Sequence, residues 1–145
     1  MEENLSQQLV EHLDSCGFGP QQGIDACFAV IPVDYCAVDA LTGRLLTEHE
    51  PDVVLSFGIG QSESLITIER IAINLDDAEC ADNAGALRRG THIESDGPPA
   101  AFSNLPLDEI HRDLLAAELS SSMSNHAGAF LCNHLLYRWL TQKVH

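Results

Sequence analysis

Residues 24–57 constrain the fold more than any other stretch of the chain. The run 24–33 (IDACFAVIPV) alternates into a short apolar segment, the pattern of a buried strand. Pro32 sits near its end, where a lost ladder bond is tolerated. Residues 36–49 place Val38, Leu41, Leu45 and Leu46 on one side of a helix. Residues 52–57 (DVVLSF) read as a second core strand, and Gly58-Ile59-Gly60 then turns the chain away. Strand, helix and strand in that order imply a βαβ unit and a largely parallel sheet.

The flanks extend this reading. Residues 5–15 put Leu5, Leu9, Val10 and Leu13 on one helical face, stopped by Cys16-Gly17. Residues 65–73 (LITIERIAI) form a third extended segment. Residues 76–104 are rich in Asp, Asn, Gly, Pro and Ser, a long irregular stretch of the kind that usually serves function. A helix over 107–119 turns Leu107, Ile110, Leu114 and Leu115 inward, a short strand occupies 121–125, and a last helix runs from Phe130. The 145 residues fit one domain, residues 1–145, with enough length for a real core.

Charge narrows the partners. Twenty-two acidic and seven basic residues leave a net charge of −15, which repels phosphate backbones and anionic lipid. Nucleic acid and membrane are therefore not expected as partners. No stretch of ~20 apolar residues exists to span a bilayer, and Met1-Glu2-Glu3-Asn4 has neither a basic nor an apolar leader region. Cysteines 16, 27, 36, 80 and 132 are odd in number and irregular in spacing, which points to free thiols in a reducing, cytoplasmic setting. Cys and His do not cluster as zinc ligands, so neither a metal nor a cofactor is expected.

Two segments carry candidate chemistry. In Ser122–Asn133, small residues and Gly128 precede Cys132, and an apolar helix follows. A thiol at a helix N-terminus feels the positive end of the dipole, which lowers its pKa, and backbone N–H groups there can hold an oxyanion. The competing reading is a small buried hydrophobe in a first turn. In Ile66–Asn74, Glu69 interrupts an apolar run, so its carboxylate needs a partner or a task. Adjacent strand residues face opposite ways, so Arg70 is not expected to be that partner.

Four blocks occur in order: Ile68-Glu69-Arg70-Ile71-Ala72-Ile73-Asn74; Asp82-Asn83-Ala84-Gly85; Pro98-Pro99-Ala100-Ala101-Phe102-Ser103-Asn104-Leu105-Pro106; and Ser124-Asn125-His126-Ala127-Gly128 through Cys132-Asn133. Together they resemble the pyroglutamyl peptidase type I family (pyrrolidone-carboxylate peptidases), over nearly the whole chain from Asn4. The resemblance implies a three-layer α/β/α sandwich with a mixed, mostly parallel sheet, of the phosphorylase/hydrolase-like kind. It implies a cysteine omega-peptidase that removes N-terminal pyroglutamate from peptides. Cys132 would be the nucleophile, Glu69 an active-site carboxylate, and the assembly a homo-oligomer.

The chain also departs from the family pattern. It begins after the family's Gly/Phe-rich loop and stops before the strand that bears the family histidine, so terminal elements are expected to be missing. His145 lies thirteen residues beyond Cys132, ~20 Å along a helix, and is out of hydrogen-bond reach. His134, at i+2, faces away from Cys132. His126 is the possible substitute base, and His12, His49, His92 and His111 read as surface or packing residues. Glu79 and Glu63 stand where the family often has arginine. The rival reading is an inactive homologue acting as an interaction or oligomer subunit, through exposed sheet edges. A weaker third, a purine-phosphorylase-like enzyme, would need an anion site that Gly58-Ile59-Gly60 alone does not supply.

Overall fold

The computed structural model describes residues 4–60 and 65–142. Its elements run α1 (Leu5–Ser15), α2 (Tyr35–His49), β1 (Ile66–Glu69), β2 (Ile71–Ile73), β3 (Ala100–Phe102), α3 (Leu107–Ala116), β4 (Ser121–Ser124) and α4 (Leu131–Thr141), an α/β arrangement. Local chemistry starts the first two helices: Asn4 accepts the Gln7 N–H and Asp34 accepts the Ala37 N–H. At its far end α2 stops where Glu50 turns left-handed, at φ 42°.

The extended segment expected over 65–73 divides at Arg70. Before it, β1 pairs in parallel with β4, Ile66 opposite Ser121 and Glu69 opposite Ser124. After it, β2 pairs antiparallel with β3, Ile71 opposite Phe102 and Ile73 opposite Ala100. Arg70 belongs to both pairings: its N–H donates to Ser124 O, and its C=O accepts from Ser103 N–H.

Residues 24–33 and 52–57 depart from expectation. Neither forms a strand, and among the described residues no ladder pairs them. Ile24, Val30, Val33, Val53, Leu55 and Phe57 are exposed. An apolar pattern reports a demand for burial, but a strand also needs a neighbour that presents its own N–H and C=O groups. Helix α1 keeps its apolar stripe without burying any residue, and Leu5 and Leu9 face solvent.

The core gathers around α4, which packs on α2, β2 and β3. Tyr35, Val38 and Leu131 form one buried cluster, flanked by Ile31, Phe130 and Leu135. Ala72, Ile93 and Tyr137 form a second, flanked by Leu136 and Leu140. Much of the irregular stretch after β2 is held by side chains. Asp82 accepts the N–H groups of Tyr35, Ala84 and Ala86, tying this loop to the start of α2. The Tyr35 N–H bond first, then those from Ala86 and Ala84, hold its carboxyl below the usual range against the opposing effect of burial.

Candidate active site

Glu69 ends β1, and one of its carboxylate oxygens, Oε2, is buried without a hydrogen-bond partner among the described residues. Arg70 does not supply one. Its Nε donates instead to Asn125 Oδ1, joining the end of β1 to the loop after β4. Cys132 lies in the first turn of α4, behind the uncapped Phe130. On its other side runs the 52–60 segment: a Cβ placed on Gly58 would sit 3.4 Å from Cys132 Sγ.

The structure corrects the expected low thiol pKa. The residue keeps access to solvent, but crowding around Sγ pushes the thiol up and the Glu69 charge pushes it further. A carboxylate, not a cation, is the charged group that faces it. The same fact brings the two candidate residues together, since Glu69 is near enough for its charge to act on Cys132.

His126 is exposed, and its Nδ1 accepts the Gly128 N–H at 3.0 Å. The peptide N–H of His126 donates to Ser124 Oγ, which closes a tight loop. Gly128 completes that loop at φ 81°, a left-handed conformation that favours glycine. Among the described residues no hydrogen bond joins any histidine to Cys132 Sγ; His145 and Glu63 lie outside them, and Glu79 is exposed. An open groove lined by Arg70, Phe102, Ser103, Leu105 and Met123 lies beside the loop, but neither Cys132 nor Glu69 lines it.

His134 points away from Cys132, as expected, into a charged cluster that the sequence did not disclose. Its Nδ1 meets Asp76 Oδ2 at 2.9 Å and its Nε2 meets Asp39 Oδ1 at 3.0 Å. Arg88 closes on Asp76 at 2.8 Å and Arg138 on Asp39 at 2.6 Å. Arg88 also lies 4.1 Å above the Tyr35 ring. Burial alone would lower the His134 pKa, but hydrogen bonds to Asp39 and Asp76, with their charges, hold it above the usual imidazole value. Burial likewise works to raise Asp39, and the bonds from His134 and Arg138 hold it low.

Two asparagines do work that their motif positions alone did not disclose. Asn133 Oδ1 accepts the Ile73 N–H, while its Nδ2 donates to the carbonyls of Ile73 and Leu75. Asn74 makes the equivalent reciprocal pair with the N–H and C=O of Glu94.

The family model for pyroglutamyl peptidase matches residues 2–145. The chain belongs to the pyroglutamyl peptidase family. It is 40% identical over 134 residues to pyrrolidone-carboxylate peptidase 1 of Ralstonia nicotianae, covering 92% of this chain and 61% of that protein. It is 45% identical over 101 residues to the pyrrolidone-carboxylate peptidase of Cupriavidus taiwanensis, covering 70% of this chain and 46% of that one. The crystal structure of Bacillus amyloliquefaciens pyroglutamyl peptidase I superposes with a TM-score of 0.81 at 30% identity, covering 92% of this chain and 63% of that one. The pyrrolidone carboxyl peptidase of Fervidobacterium islandicum gives 0.86 at 26%, covering 94% and 64%. The chain thus spans under two thirds of the length of these relatives. Among the described residues no helix is long and apolar enough to cross a membrane.

Proposed function

We propose that the chain carries the thiol and carboxylate of a cysteine omega-peptidase that removes N-terminal pyroglutamate from peptides. The observation that carries this reading is a buried Glu69 oxygen without a hydrogen-bond partner among the described residues, on a carboxylate whose charge reaches Cys132. Cys132 Sγ loses its proton and attacks the pyroglutamyl amide carbonyl. The amine leaves with a proton, and water then cleaves the thioester to release pyroglutamate. The free Glu69 oxygen is an acceptor for an amide N–H of the bound substrate. His126 is the base candidate on this chain. It must give up the Gly128 bond or act through Nε2.

We read residues 1–145 as one domain of a cytoplasmic homo-oligomer. Exposed thiols suit a reducing compartment. Exposed Val53, Leu55, Phe57 and Ile59, on a segment with no ladder among the described residues, suit burial against another subunit. Turnover of a fluorogenic pyroglutamyl amide is the test, with Cys132→Ala as control. Thiol-dependent release of the fluorophore is expected, and the variant should lose it while its circular dichroism stays unchanged. A folded parent chain without turnover would overturn the peptidase reading in favour of an inactive interaction subunit.

A further inference from the structure

We propose that Asn133 is a positioning residue that fixes the separation of Cys132 and Glu69, an inference whose catalytic meaning rests on the reading above. Strand β2 spends one edge on β3: Asn74 N–H bonds Pro99 O, and Arg70 O accepts Ser103 N–H. The other edge presents the N–H and C=O of Ile73 and the C=O of Leu75. The Asn133 amide takes all three, at 2.9, 2.9 and 3.0 Å, and so stands in for a neighbouring strand.

Asn133 is 1% exposed, so no water replaces these bonds. Glu69 ends β1, four residues before Ile73 at the end of β2, and Cys132 is the residue before Asn133. One short covalent path on each side of the amide therefore leads to a candidate reacting group. Only a side chain with both an acceptor and two N–H donors at this length fits the three groups. Asp lacks the donors, and Gln carries the same groups one methylene too far.

The coupling of Glu69 to Cys132 is read by iodoacetamide alkylation, with the Cys132 peptide followed by mass spectrometry in the folded chain. Glu69→Gln removes the charge that adds to burial in holding the thiol up, so it should raise the Cys132 rate near neutral pH roughly threefold. In an Asn133→Ala background the same substitution should change the rate less than twofold (about a third of a pH unit in the midpoint of the rate profile). Asn74→Ala, which removes the sister amide from the same strand, should retain the full effect and so control for general loosening. If Asn133→Ala does not fold, Asn133→Gln takes its place, with the same loss of coupling expected. An undiminished Glu69→Gln effect in a folded Asn133 variant overturns the proposal, and so does equal loss in Asn74→Ala. None of these readings needs turnover, so a catalytically silent parent would count against the peptidase reading alone.

Discussion

Replacing Asp76 by alanine is the sharpest test of what holds α4 in place. The Asp76 side chain is fully buried and bonds both His134 and Arg88. Its removal leaves the buried His134 ring with Asp39 as its one carboxylate partner among the described residues. Breaking a buried ion pair by deleting one partner costs about 3–5 kcal/mol. The low end applies, because the Arg88 side chain is 27% exposed and regains water. With an m-value near 2 kcal/mol/M, a loss of about 3 kcal/mol moves the urea midpoint down by ~1.5 M. Asp76→Asn keeps an acceptor for His134 Nδ1 and should lose less than half as much. The effect has a defined pH course. His134 is held above its ordinary value, so the stabilisation from its charged form is full below about pH 6.5 and fades as pH rises through the raised folded value. The gap between wild type and Asp76→Ala should therefore be larger at about pH 6 than at about pH 9. A loss under about 1 kcal/mol, or a gap that widens with pH, would refute a charged His134 clamp.

Two further substitutions probe the supports of the site. Asp82→Ala removes the acceptor of three N–H groups and should lower Tm. Because the Asp82 pKa is depressed in the fold, its contribution is present above the unfolded carboxyl value of about 3.9 and is lost as pH falls through the folded one, so the Tm gap to wild type should close at acid pH. Gly97→Ala would drive a Cβ into Tyr137 Oη and the Glu94 side chain. Since Tyr137 is fully buried and donates to Pro98 O, it has no room to yield, and a loss of about 1–3 kcal/mol is expected in urea unfolding.

Periodicity located the helices because each is a local object. Residues 36–49 match Tyr35–His49, and 107–119 overshoots Leu107–Ala116 by the turn in which Glu118 goes left-handed, at φ 60°. The strands were less legible, since pairing is decided by distant residues. LITIERIAI reads as one segment, yet it serves two different partners on either side of Arg70. IDACFAVIPV and DVVLSF carry the composition of strands without a ladder among the described residues. At the site, Cys132 and Glu69 stood out because a thiol after Gly128 and a carboxylate in an apolar run are conspicuous in one dimension. Asp39 and Asp76 did not, because their shared partner His134 is 95 and 58 residues away. The expected low thiol pKa failed for the same reason: the helix end is local, but the burial of the thiol, and after it the Glu69 charge, come from other elements.

The order Leu131-Cys132-Asn133-His134 follows from how α4 is enclosed. Successive helical residues turn by ~100°, so four of them sweep most of a circle. Leu131 enters the Tyr35–Val38 cluster. Cys132 faces Gly58 and Glu69. Asn133 meets the free edge of β2. His134 reaches Asp39 on α2 and Asp76 in the loop. A surface helix would show one apolar stripe and a polar back. Leu131, Asn133 and His134 are buried while Cys132 keeps access to solvent, so each direction imposes its own chemistry, and only one of the three buried ones is apolar. Three residues of the turn are thereby committed to fixing the helix, which leaves Cys132 as the position in it whose polar atom has no hydrogen-bond partner among the described residues.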